Sequence, residues 1–143
     1  MIYKKNGNTY VITYNGQIYN CNELRKELKN YGFEFESHSD TEVLLKSYVH
    51  WGYKVVNKLN GIFAFAIWDE NKKELFLARD HFGVKPLFYT ILNDTLIFAS
   101  EIKALFKYPG ITPKIDSKGI CELFGLRSMP YSRKPEFLKI LMN

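Results

Sequence analysis

An α+β layered domain is the fold class that this sequence predicts, on three observations. Strand and helix signals come in blocks rather than in strict alternation. The near-continuous apolar run from Ile62 to Trp68 reads as a strand buried on both faces. The 143 residues are 46% hydrophobic and 16% aromatic, enough apolar surface to offset the ordering entropy of one core.

Each element has a local justification. Thr9 to Tyr14 is β-branched and aromatic and runs into Asn15-Gly16, with Gln17-Ile18-Tyr19 beyond; this predicts a hairpin with a tight turn at Asn15-Gly16. Leu24, Leu28 and Tyr31 at helical spacing predict a helix over 22–31, stopped by Gly32. Phe33 to Glu36 reads as a short strand. Ser39-Asp40-Thr41-Glu42 has the capping-box pattern ahead of the apolar face Val43, Leu44, Leu45, Tyr48 and Val49, and Gly52 ends that helix. One or two further turns follow in 53–59. Glu74 to Ala78 is the strand returning from Ile62–Trp68 across the polar segment 69–73. Leu87 to Leu92, Asn93-Asp94 and Thr95 to Ala99 form another hairpin. Ser100 is placed to cap a helix over 101–106, and Asp116 or Ser117 to start a last one through Leu123.

The net charge of +5 raises the question of nucleic acid. Residues 1–126 hold 16 basic and 14 acidic side chains; residues 127–143 hold four basic ones against Glu136. The excess therefore lies in a short tail, whereas a nucleic-acid surface clusters basic groups across the fold. The longest apolar run is far shorter than the roughly 20 residues that span a bilayer. No secretory signal pattern is present at the N-terminus. Cys21 and Cys121 stand far apart without framework spacing, which suits a reducing cytoplasm.

Taken singly, the polar motifs leave their chemistry open. Asn15-Gly16 reads first as a turn, because both residues tolerate positive φ; the alternative is an oxyanion hole made of a side-chain amide and an unobstructed backbone N–H. Asp40 reads as a first-turn carboxylate favoured by the helix dipole, or as the partner of a ligand ammonium group. Arg79-Asp80 reads as a surface ion pair of little energetic worth. Cys21 with His38, His50 or His81 is the material of an activated nucleophile, but free cysteine is more often a small buried hydrophobe. Two Cys and three His without close ligand spacing predict no metal site. Gly61 and Gly83 are isolated and form no phosphate loop.

Taken in order, five segments form one set: Tyr14-Asn15-Gly16-Gln17-Ile18-Tyr19-Asn20, His38-Ser39-Asp40-Thr41-Glu42-Val43, the run from Leu59 to Asp69, the run from Leu77 through Arg79-Asp80-His81-Phe82-Gly83-Val84-Lys85 to Leu87, and Phe98 to Leu105. This series resembles the glutaminase domain of glutamine-hydrolysing asparagine synthetases, class II glutamine amidotransferases of the N-terminal-nucleophile hydrolase superfamily. The resemblance implies a four-layer αββα sandwich, helices outside two antiparallel sheets. It implies hydrolysis of the side-chain amide of glutamine, with ammonia passed to a synthetase domain that amidates ATP-activated aspartate. It further implies that the Asn15 amide and Gly16 N–H stabilise the tetrahedral oxyanion and that Asp40 holds the α-ammonium of glutamine. Gln17 stands where the motif usually has Glu, so an acceptor facing the substrate amine is kept and a charge is lost. Arg79, Asp80, Phe82, Gly83 and Lys85 take structural roles.

Both ends depart from the pattern. The family's nucleophile is an N-terminal cysteine exposed on removal of Met, with its free α-amine handling the proton. Here Ile2 follows Met1, and Cys21 lies within the chain. The family's preceding strands, with the arginine that binds the glutamine carboxylate, have no counterpart in the sequence. The resemblance covers residues 1–126, a partial amidotransferase domain, and leaves 127–143 as a basic tail unlike the family. The expectation is a fragment truncated at both ends: an incomplete sandwich lacking its N-terminal strands, inactive alone. Its sheet edges would be unpaired and Phe63, Phe65 and Trp68 partly uncovered, making the chain prone to associate. No cofactor is expected in this chain, ATP and magnesium belonging to the synthetase domain. The partners implied are glutamine and a synthetase domain, with neither nucleic acid nor membrane, in the cytoplasm, and oligomerisation left open. The alternative is a non-catalytic module that binds glutamine or a partner protein.

Overall fold

Asn6 and Gly7 both take positive φ, 52° and 80°, as a type I′ turn requires. They join β1 (Ile2–Lys5) to β2 (Asn8–Ile18) in an antiparallel hairpin that sets Tyr3 against Tyr10. The hairpin expected at Asn15-Gly16 does not form. β2 runs straight through, Asn15 pairing with Ala64 and Gly16 with Phe63 of β3 (Gly61–Asp69). Pairing length decides this: the uninterrupted strand registers with β3 from Tyr10–Asp69 to Ile18–Gly61, many more ladder bonds than a turn at 15–16 would leave.

The structure is a computed structural model that describes residues 1–113 and the strand 137–141; the helix expected over 116–123, with Cys121, lies outside them. Two compact units divide the chain, the second beginning at Leu87. In the first, a five-stranded sheet has the order β1-β2-β3-β4-β7, with β4 at Glu74–Arg79 and β7 at Phe137–Leu141, every pairing antiparallel. The far edge of β4 is paired with part of the segment expected to be a tail.

Period-2 alternation sends Tyr10, Ile12 and Ile18 of β2, and Phe63, Phe65 and Ile67 of β3, to one face. There they meet α1 (Cys21–Asn30) through Leu24 and Leu28, and α2 (Asp40–Trp51) through Val43, Leu44, Leu45 and Tyr48. Phe63 and Phe65 are therefore buried at 3% and 1% exposure rather than uncovered; only Trp68, on the other face, is half-buried. Tyr48 stacks on Phe76, and Tyr10, Tyr53 and Phe65 meet this pair edge-on.

Phe33 to Glu36 forms no strand. Its backbone is held by side chains instead: Glu42 accepts the N–H groups of Glu36 and Ser37 at 2.9 and 2.8 Å, and Lys46 Nζ donates to Glu34 O at 2.7 Å. The capping box forms by half. Ser39 Oγ accepts Thr41 N–H at 3.1 Å, but Glu42 is drawn to the 36–37 backbone and to Lys46, and does not close back on Ser39. α2 stops at Gly52, and a 3-10 segment, Gly52–Asn57, follows.

In the second unit, Asn93 and Asp94 at positive φ turn β5 (Phe88–Leu92) into β6 (Thr95–Ala99), as expected. α3 is a single turn, Ile102–Leu105, one residue later than the sequence suggests, with Glu101 rather than Ser100 at its N-cap. Among the described residues no helix is long and apolar enough to cross a membrane.

Candidate glutamine site

Hydrogen bonds at both ends of the β2–β3 ladder run through odd-numbered β2 residues: Tyr19 N–H donates to Asn60 O at 2.7 Å and Glu70 N–H to Thr9 O at 3.0 Å. Antiparallel pairs alternate, so even-numbered β2 residues turn their N–H groups away from β3. On that other side β1 reaches only as far as Ile12, whose N–H and C=O are both bonded to Met1 at 2.9 Å. Beyond it, the N–H groups of Tyr14, Gly16 and Ile18 lie along an edge that β1 does not cover.

Asp40 meets this edge. As the first residue of α2, capped by Ser39, its carboxylate is favoured by the helix dipole. Its Oδ2 accepts the Tyr14 hydroxyl at 2.7 Å and the Ile18 N–H at 3.2 Å. The two donors flank Asn15-Gly16-Gln17, so the carboxylate brackets the triplet. Burial, together with the neighbouring carboxylate, pushes the Tyr14 hydroxyl far above the usual phenol range and keeps it a donor.

The four predicted site residues thus converge on one stretch of strand but not on one face. Asp40 approaches from the helix side. Asn15 and Gln17 are exposed and leave by the opposite face, and the Gly16 N–H lies in the edge between. Gly16 is required by contact rather than by a turn: a Cβ there would stand 2.3 Å from Ile62 O and 2.7 Å from Phe63 Cα. Gly61 answers it across the ladder, where a Cβ would stand 2.2 Å from Gln17 O.

The segment leading to Asp40 is tied to α1 by a residue the sequence reading missed. Arg25 donates to Ser37 O at 2.8 Å and Ser39 O at 3.2 Å, with its guanidinium 4.5 Å from the centre of the Phe35 ring. Tyr14 was missed too; its signal is the alternation that puts it on the face of Tyr10 and Ile12. Cys21 opens α1 nearby. Burial raises its thiol pKa although Arg25 works against this, which disfavours a thiolate. His50 is taken up by Tyr31, Phe33 and Trp51. Among the described residues no three His, Cys, Asp or Glu side chains gather to hold a metal ion.

Asp80 lies in the interior rather than at the surface. It is 3% exposed, and its carboxylate accepts four backbone N–H groups: Phe82 and Val84 on Oδ1, Lys85 and Phe63 on Oδ2, at 3.0 to 3.2 Å. Burial alone would raise its pKa; the donors from Lys85, Val84, Phe63 and Phe82 outweigh it and hold the carboxyl below its ordinary value. Arg79, half-buried at the end of β4, shares a cross-strand row with Ala64 and Asn15.

Comparison with known proteins identifies the family. The family described as glutamine amidotransferase domain matches residues 1–140. The glutamine-hydrolyzing asparagine synthetase 3 of Bacillus subtilis is 54% identical over 120 residues, 84% of this chain and 20% of that protein. A putative glutamine-hydrolyzing asparagine synthetase of Mycobacterium bovis is 41% identical over 133 residues, 90% of this chain and 20% of that protein. Among solved structures, glutamine phosphoribosylpyrophosphate amidotransferase from B. subtilis, complexed with ADP and GMP, aligns with a TM-score of 0.64 at 29% identity, covering 73% of this chain and 25% of that one. The α+β fold is that of the N-terminal-nucleophile amidotransferases. The chain spans about a fifth of the length of these curated relatives. Motif order, fold and sequence likeness coincide, and the chain belongs to the glutamine amidotransferase domain family.

Proposed function

We propose that this chain forms the glutamine-recognition part of a glutamine amidotransferase. Asp40 takes the α-ammonium group, and the Asn15 amide and Gly16 N–H receive the oxyanion that develops on the side-chain amide carbon. Gln17 offers a neutral acceptor to the amine. One observation carries the reading: Asp40 is bonded to both residues that flank Asn15-Gly16-Gln17, on the edge where the Gly16 N–H points out of the ladder.

These groups supply recognition and oxyanion stabilisation. In the reaction that the family resemblance implies, a cysteine thiolate that these residues do not supply would add to the amide carbon, negative charge would gather on the oxygen, and each oxyanion donor would lower the barrier by about 3 kcal/mol. The nucleophile's α-amine would pass the thiol proton to the departing nitrogen, which leaves as ammonia, and water would cleave the resulting glutamyl thioester to glutamate and free thiol. In the longer relatives the ammonia would go on to amidate an ATP-activated aspartate; ATP and magnesium enter no step that these residues carry.

Within this chain a non-catalytic form of the reading has its own support. Cys21, the free cysteine among the described residues, has its thiol pKa raised by burial and is disfavoured as a thiolate. The chain itself then binds glutamine without releasing ammonia. Isothermal titration of the chain with L-glutamine, beside an ammonia-release assay, tests both statements. Saturable binding that Asp40→Asn abolishes is expected, with ammonia at the buffer level. Absence of binding overturns the glutamine reading, and ammonia release overturns its non-catalytic form.

A further inference from the structure

Asp40 carries its carboxylate on a short side chain free to rotate about two bonds, yet both of its bonds to β2 fall on one oxygen. Oδ2 accepts the Tyr14 hydroxyl at 2.7 Å and the Ile18 N–H at 3.2 Å. Tyr14 and Ile18 lie two residues to either side of Gly16, roughly 7 Å along the strand in each direction. The two ends of a bound glutamine, ammonium and amide, are therefore measured against a single stretch of β2.

We infer that Tyr14 is a positioning residue for ammonium recognition: its hydroxyl occupies Asp40 Oδ2, turns Oδ1 toward the substrate, and sets the distance between that oxygen and the Gly16 amide. This rests on the glutamine reading above and adds to it a residue that touches no substrate atom. Two features support it. The hydroxyl is held protonated by burial and by the carboxylate itself, so it donates throughout the neutral range. With the hydroxyl removed, Asp40 would keep only the longer Ile18 bond to β2 and would be free to swing.

The test compares Tyr14→Phe with the unaltered chain by calorimetric titration against two ligands, L-glutamine and 4-carbamoylbutyrate, which is glutamine without its α-amino group. Tyr14→Phe is expected to weaken L-glutamine binding about tenfold, the scale of one hydrogen bond to a charged group, and to leave 4-carbamoylbutyrate binding unchanged. Equal losses for the two ligands, or no loss for glutamine, overturn the positioning role while glutamine binding by the unaltered chain stands. Failure of the unaltered chain to bind glutamine overturns both. Should Tyr14→Phe not fold, para-methylphenylalanine at position 14 fills the tyrosine volume without a donor and para-aminophenylalanine restores one. The first is expected to reproduce the selective loss and the second to recover unaltered affinity; identical behaviour of the two overturns the inference.

Discussion

Asp80 and Phe63 exchange two hydrogen bonds: the Asp80 N–H donates to Phe63 O at 2.8 Å, and the Phe63 N–H donates to Asp80 Oδ2 at 3.2 Å. The same carboxylate gathers the N–H groups of Phe82, Val84 and Lys85. One side chain thereby winds the 80–85 loop around itself and clips it to the middle of the sheet. Phe63 is the residue that faces Gly16 across the ladder. The loop thus braces β3 at the point where β2 presents its candidate oxyanion donor.

Replacing that carboxylate tests the brace. In Asp80→Asn one acceptor oxygen becomes an NH2 group aimed at backbone donors, so two of the four bonds are lost and a donor is left buried against donors. The expected cost is about 2–4 kcal/mol of unfolding free energy. Hydrogen exchange is expected to quicken at one pair of amides, Phe82 and Val84 or Lys85 and Phe63, according to which oxygen the NH2 group replaces. Unchanged stability with unchanged exchange would refute the brace.

Glycine substitutions separate two reasons for the same residue. At Gly16 an added Cβ meets Ile62 O and Phe63 Cα at 2.3 and 2.7 Å, and backbone atoms have nowhere to retreat. Gly16→Ala should cost at least the 1–3 kcal/mol typical of overpacking. At Gly7 nothing lies within 4 Å of the added atom, and only the φ of +80° resists it. Gly7→Ala should therefore cost about 1–2 kcal/mol. Urea unfolding of the two variants checks the order, and a smaller loss at Gly16 would contradict the close approach of β2 and β3.

These two glycines also show what the sequence makes legible. Asn-Gly occurs at 6–7, 15–16 and 60–61, and turn chemistry alone cannot tell them apart. Only the first is a turn. At Gly16 and Gly61 the residue is there because two backbones nearly touch, a requirement that exists only once β2 and β3 are paired. Helical spacing placed α1 and α2, a continuous apolar run placed β3, and turn segments placed β4 and the β5–β6 hairpin, because all of these signals are local. The Phe33–Glu36 segment misled for the opposite reason: its backbone partners are Glu42 and Lys46, a turn of helix further on. Asp80 looked like a surface carboxylate because the backbone donors that gather round it leave no trace in a sequence. Motif order grouped Asp40 with Asn15 and Gly16 as candidates; the Tyr14 hydroxyl that bonds Asp40 to β2 was not singled out.

Ser47 offers a substitution that should help. It lies on α2 at 0% exposure, and its Oγ has no hydrogen-bond partner among the described residues. A buried hydroxyl without a partner forfeits its hydration for nothing. Ser47→Ala also improves helix propensity. The thermal midpoint is expected to be unchanged or higher, corresponding to about 0–1 kcal/mol of stabilisation. A marked loss would show that the hydroxyl is satisfied in solution.

Glu42 gives the chain a defined acid sensitivity. Its carboxylate is 6% exposed, and burial alone would raise its pKa. Lys46 Nζ at 2.5 Å, the N–H groups of Glu36 and Ser37, and the Ser37 hydroxyl outweigh burial and bring it down to about 2. A carboxyl whose pKa is lower folded than unfolded stabilises above the unfolded pKa, and that stability is lost as pH falls through the folded value. The contribution should therefore be complete above about pH 5 and decline between there and pH 2. It should amount to roughly 3 kcal/mol at neutral pH. Asp80 declines in the same acid range, so the informative quantity is the difference between the unaltered chain and Glu42→Gln. That variant also leaves the buried Lys46 without its counter-charge. Denaturant unfolding from pH 7 to pH 2 should show the gap between the two narrowing steadily on acidification. A gap independent of pH would mean that Glu42 acts by shape and hydrogen bonding alone.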